Sequence, residues 1–154
     1  MSDHLAIGGV SLTLKALLDD RMEFTRPGLP VADRATVTIS APDAEHDVNG
    51  PRLNIFLYHL SENGFLKNQE IPGQGHPGDY GHPPLSLDLF YLLTAYSLSE
   101  VNDVSAHQVL GDAMRVLHDF PVITESLVRE RIVGNVPMLD PSLLGEFESM
   151  KVTL

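Results

Sequence analysis

Between Pro83 and Ser97 the chain carries the pattern that most restricts its fold. From Leu85 the odd positions read Leu85, Leu87, Leu89, Tyr91, Leu93 and Ala95, and the even ones Ser86, Asp88, Phe90, Leu92, Thr94 and Tyr96. One face is apolar throughout; the other begins polar and turns apolar. Side chains alternate across a strand, so this spacing predicts a long strand whose second half is covered on both sides. Leucine itself favours helix. The opening period of two, the aromatics and the extended entry forced by Pro83-Pro84 outweigh that preference. A second stretch, Leu53-Asn54-Ile55-Phe56-Leu57-Tyr58-His59-Leu60, is apolar on both faces over most of its length, as an interior strand of a covered sheet would be.

Between these two lies an unusual connection. From Ser61 to Pro84, Gly64, Gly73, Gly75, Gly78, Gly81, Pro72, Pro77, Pro83 and Pro84 dominate, mixed with Asn and Gln. A connection of this length without regular structure is uncommon inside a compact domain unless it serves a function or is disordered. With strands on either side it becomes a long Gly/Pro-rich extended hairpin loop.

The remaining elements follow from periodicity and punctuation. Ser2 can cap a helix with Ile7, Val10, Leu14, Leu17 and Leu18 on one face, ending near Asp20, with Gly8 and Gly9 weakening its first turns. Residues 21 to 35 make a connector around Pro27, Gly28 and Pro30. Thr36 to Ala41 alternates as a strand covered on one side and stops at Pro42. Ser105 with Gln108 reads as a capping box opening a second helix. Its core face holds Ala106, Val109, Leu110, Ala113, Leu117 and Phe120, its solvent face His107, Asp112, Arg115 and His118, and Pro121 ends it. A short helix from Glu125 to Ile132, led by Thr124, and a strand signal at Met150, Val152 and Leu154 complete the order. The expected fold is α/β of the α+β kind: a single domain over residues 1–154, with a small mixed sheet of about four strands flanked by helices.

Composition narrows the function. Ten Lys and Arg against 21 Asp and Glu give a formal charge of -11. Phosphate backbones and anionic membranes would be repelled, and no basic patch offsets the total, so a basic protein surface is the better partner. With no cysteine there are no disulfides, thiolate metal sites or cysteine nucleophiles. No basic segment precedes an apolar one at the N-terminus and no apolar run is long enough for a bilayer, which predicts a chain that is soluble and cytoplasmic when made.

Chemistry has few candidates. His76, Asp79 and His82 could hold zinc, yet the His-x5-His spacing fits no zinc signature. Asp88 could serve as a general base if desolvated; a carboxylate there more often faces solvent or bonds a neighbouring amide. His107 and His118, about 16 Å apart along a helix, are too distant to share a metal. No Gly-x-Ser-x-Gly, Walker or dinucleotide motif occurs. A metal-assisted hydrolase using His76, Asp79, His82 and Asp88, or a monomeric module gripping a ligand with its long loop, are therefore the alternatives to a protein that works by contact.

Several runs are similar to one known family. These are Met1 to Ile7, Leu53 to Tyr58, Pro83 to Tyr96, and Leu110 to Asp119. In that order and spacing the chain resembles the tube-terminator, or cap, family of extracellular contractile injection systems, which are phage-tail-like particles. The resemblance covers nearly the whole chain. It implies a ring, six-membered in this family, that caps the inner tube, stops its growth and joins it to the sheath. Its implied partners are thus the inner tube protein, the sheath protein and further copies of itself. It implies assembly in the cytoplasm and release in an extracellular particle, with no cofactor and no catalysis; the charge speaks against nucleic acid and membrane, and the histidine spacing against a metal. Members carry a further helix and a last strand after the counterpart of Leu154. Phe65, Leu66, Ile71, Tyr80 and His82 are the candidate subunit contacts, the first four as apolar anchors in an otherwise polar rim. The alternative is a loop that orders only in the particle.

Overall fold

The computed structural model describes residues 6–44, 50–67, 86–97, 103–124, 132–133, 136–137 and 149–154. Helix α1 spans Ala6–Arg21, strand β1 Thr36–Ile39, β2 Arg52–Glu62, the single turn α2 Gly64–Lys67, β3 Leu87–Tyr96 and helix α3 Val104–Asp119. Short strands follow: β4 Val122–Thr124, β5 Ile132–Val133, β6 Val136–Pro137 and β7 Ser149–Lys151. The main sheet has the order β1-β2-β3, with β1 parallel and β3 antiparallel to β2. The fold is α+β with a mixed sheet, as the sequence predicts. Among the described residues that sheet has three strands, and two separate two-stranded ladders, β4 with β7 and β5 with β6, accompany it.

Both long helices cover one face of the sheet. Leu14, Leu17, Leu18 and Met22 from the α1 end meet Val37, Leu53 and Ile55, and α3 adds Val109, Ala113, Val116 and Leu117. The odd positions of β3, Tyr91, Leu93 and Ala95, pack on the same cluster. Each of the fully buried leucines contributes roughly 1.5–3 kcal/mol by leaving water. Two polar residues share the buried side of α1. Thr13 Oγ1 donates to the Gly9 carbonyl (2.8 Å) and Ser11 Oγ to that of Ile7 (3.3 Å), so neither is left unbonded. Among the described residues, the opposite face is covered only near its base. There the Arg52 guanidinium lies 4.1 Å from the Tyr96 ring centroid. Asn54 bonds Thr38 and Ser40, and the Tyr96 hydroxyl donates to the Pro42 carbonyl (2.6 Å). Entry to β2 requires glycine: a Cβ on Gly50 would stand 2.7 Å from the Arg34 carbonyl oxygen and 2.8 Å from that of Val31.

The structure corrects several expectations. Helix α3 starts at Val104 after Asp103, with no side-chain cap bond, and the Ser105 hydroxyl pairs instead with that of Ser97 (2.8 Å). Ile132, expected to end a short helix, stands in β5, and Thr124 ends β4; the rest of that expected helix, residues 125–131, lies outside the described residues, as does the Ser2 cap. The C-terminal strand signal is real but shifted, forming at Ser149–Lys151. Asp112, expected in solvent, is buried.

One contact ties α1 to the long strand and carries a prediction. Ser11 Oγ and the Tyr91 hydroxyl lie 2.8 Å apart, half-buried. Burial pushes the Tyr91 pKa above its ordinary 10.0, against the opposing pull of the Ser11 bond. The folded state thus prefers the neutral phenol. That preference is fully present below the ordinary pKa and is lost as pH rises through the raised one. Tyr91→Phe is expected to cost about 1 kcal/mol near neutral pH and to reduce the alkaline loss of stability, read from urea midpoints at neutral and alkaline pH. Equal alkaline loss in both proteins would refute the assignment.

Candidate functional site

Strands β2 and β3 form an antiparallel hairpin that outruns its cover. Arg52 to Ile55 are buried on both faces, which is what the apolar run predicts for an interior strand. From Tyr58 to Leu60 the same strand is exposed. The reason lies in the neighbour: β1 is four residues long and pairs only with Arg52–Ile55. Beyond Ile55 the sheet is a two-stranded ribbon, an arm with apolar side chains on both faces.

Register assigns these side chains. On the helix-covered face, Leu57 opposes Tyr91 and Leu60 opposes Leu89. On the other, Phe56 opposes Leu92 and His59 opposes Phe90. The pairing shifts between Leu57 and His59, leaving Tyr58 as an extra residue, a bulge that increases local twist. Tyr58 and His59 both meet Phe90, with ring centroids 6.4 Å and 5.2 Å apart. This aromatic cluster is open to solvent: Tyr58 is 59% exposed, and Phe90 and Leu92 are exposed beside it. The expectation that the second half of β3 is covered on both sides therefore fails at Leu92, while Leu93 to Tyr96 are half-buried.

The arm ends in a short ordered turn. Asn63 Nδ2 donates to Asp88 Oδ1 (3.0 Å), and Asn63 Oδ1 accepts from the Phe65 amide (3.1 Å), which starts α2. Asp88 thus bonds a loop amide in solvent, the structural role and not the one of a desolvated base. Phe65 is 93% exposed, a large ring with nothing over it among the described residues. Leu66 sits in α2. Ile71, Tyr80 and His82 lie outside the described residues, as do His76 and Asp79 of the alternative metal reading. His107 and His118 face water on α3. Among the described residues no three His, Asp or Glu side chains converge. No described helix is long and apolar enough to cross a membrane.

The sequence reading missed the arm's own aromatic surface. Tyr58, Phe90 and Leu92 looked like core because an apolar strand buried by a partner protein carries the same residues as one buried by its own helices. A usable signal was the mismatch in length, six alternating residues at 36–41 set against the longer apolar stretches that form β2 and β3.

The sequence model of the Pvc16 N-terminal domain matches residues 9–154. No curated protein and no solved structure matches the chain. From the described helices, the mixed sheet and that match over nearly its full length, the chain belongs to the Pvc16 N-terminal domain family, which is associated with the Photorhabdus virulence cassette, a phage-tail-like contractile injection system.

Proposed function

We propose that this chain is the structural cap of the inner tube in such a particle, acting as a ring of identical subunits, six in number. The ring covers the growing end of the tube, offers no surface for a further tube layer, and connects the tube to the last layer of sheath. Residues 1–154 act in it as one domain, made in the cytoplasm and carried out in the released particle. The observation that carries this reading is the uncovered hairpin arm in a chain of this family: exposed apolar side chains at Tyr58, Leu60, Phe65, Phe90 and Leu92 suit burial against other subunits. Phe65, Leu66, Ile71, Tyr80 and His82 belong to the same contact surface in this proposal. The action is steric, so no bond is made or broken and no cofactor is required. Closure of the ring needs head-to-tail contacts, in which each subunit presents two different surfaces.

The test is to express the particle genes with and without this chain and measure tubes by negative-stain microscopy. Without it, tubes are expected to be overlong or ragged at one end. Tubes of normal length with normal ends would overturn the proposal.

A further inference from the structure

Among the described residues, no strand pairs the outer side of β1 or of β3. An unpaired edge is a template for another strand, and proteins that stay monomeric protect it with charges, proline or a bulge on the edge strand itself. Here β1 reads Thr-Val-Thr-Ile, and β3 from Leu89 to Tyr96 reads Leu-Phe-Tyr-Leu-Leu-Thr-Ala-Tyr. Neither stretch holds a Lys, Arg, Asp, Glu or Pro; the one charge of β3, Asp88, stands at its start, and the arm's bulge lies on β2, away from the β3 edge.

We infer that the outer edge of β3 in one copy pairs with the outer edge of β1 in the next, joining their sheets across the subunit contact; the inference rests on the ring reading above. Three observations favour a second copy as the occupant. Both halves of the contact are present in one chain on opposite sides of one sheet, so a head-to-tail arrangement satisfies every edge when the ring closes. Copies of a chain of charge -11 repel one another, so a contact that sets no like charges face to face is the least costly, and the two stretches are uncharged where they would meet. The exposed side chains also match by face. Val37 and Ile39 share the helix-covered face with Leu89 and Tyr91, and Thr38 shares the other with Phe90 and Leu92. Pairing would cover Ile39, Phe90 and Leu92, all exposed in the single chain.

The direction of pairing follows. Relative to β2, β1 is parallel and β3 antiparallel. Rotation about a ring axis that runs along the strands leaves their directions unchanged. Thus β3 of one copy meets β1 of its neighbour antiparallel.

The chain has no cysteine, so engineered pairs report the contact without background. Two double variants, Thr38→Cys with Leu92→Cys and Thr38→Cys with Phe90→Cys, cover two registers on one face. Opposed cysteines on paired strands come within the roughly 3.5–4.5 Å between Cβ atoms that a disulfide needs. After mild oxidation of assembled particles, at least one double variant is expected to give a ladder of covalent multimers ending at the ring size. Each single-cysteine variant should remain monomeric on a non-reducing gel. No ladder from either pair, in particles that retain the protein, overturns the edge pairing. A dimer from Leu92→Cys or Phe90→Cys alone also overturns it, since that outcome means two β3 edges meet each other. Native mass of the wild-type protein released from particles separates this inference from the cap reading. A ring without ladders sinks only the pairing, whereas a wild-type chain absent from particles sinks both.

Discussion

Replacing Asp112 with alanine is expected to lower folding stability by about 2–4 kcal/mol, the cost of taking the acceptor from two backbone amides that a buried carboxylate holds. Its side chain is 6% exposed and connects two elements distant in sequence. Oδ2 accepts the backbone amides of Glu23 (2.6 Å) and Phe24 (3.2 Å), the turn that follows α1. Oδ1 accepts Nη2 (2.7 Å) and Nε (3.2 Å) of Arg115 one turn along α3. The Arg115 guanidinium is held above its ordinary pKa first by that hydrogen bond, and it also reaches the Arg21 carbonyl (3.4 Å) and Asp119 (3.3 Å). Alanine would leave two half-buried amides without that acceptor. Asparagine keeps one acceptor but turns an NH2 group toward either the amides or the guanidinium, donor against donor, so about 2–3 kcal/mol is expected. Arg115→Ala should cost far less than either change at Asp112, because that side chain is half exposed and its ion pairs are screened by solvent. Urea midpoints at unchanged slope measure the three. An alanine variant within 1 kcal/mol of wild type would show that the fork does not hold α1 against α3.

Asp112 also shows where sequence reasoning stopped. The helix was legible from Val109, Ala113 and Leu117, and the same spacing places position 112 three residues after Val109 and four before Val116. The charge argued for solvent, although a carboxylate can be buried when donors from another element meet it, and such donors are backbone groups with no trace in the side-chain pattern. Ser105 misled for a related reason: a capping residue was inferred from type and spacing, while its hydroxyl finds Ser97 across the gap. Local signals served better where the element was long. The period of two from Leu87 onward gives β3 and its inner face correctly, because Leu87, Leu89, Tyr91, Leu93 and Ala95 do share one side. Strand β4, three residues after Pro121, was too short to read; its partner β7 lies far along the chain, and long-range pairing of short segments leaves no periodic mark.

Charging the arm is expected to remove the protein from particles without unfolding it. Phe90 and Leu92 lie on the face away from the helices, 41% and 45% exposed, so Phe90→Asp with Leu92→Asp should cost the isolated domain little, about 1 kcal/mol for lost contacts with His59 and Phe56. In an interface the balance reverses. A carboxylate placed where an apolar anchor is buried loses the anchor's contribution and must also be desolvated, and central apolar anchors are commonly worth about 2 kcal/mol or more each. Two such changes imply roughly 4 kcal/mol, close to a thousandfold in affinity. Occupancy in purified particles, measured by quantitative mass spectrometry against the sheath protein, should therefore fall near background while the thermal unfolding curve stays close to wild type. Val31→Asp is the matched control. Val31 is 61% exposed on the connector before β1, and a charge there should change neither quantity. The contrast is what separates a surface that merely happens to be apolar from one that is buried in the assembly: both are open to solvent in the single chain, and only the second is sensitive to charge in the particle. Wild-type occupancy for the arm variant would mean that the exposed aromatics of Tyr58, His59 and Phe90 face solvent there too, and the subunit contacts would have to be sought elsewhere on the domain.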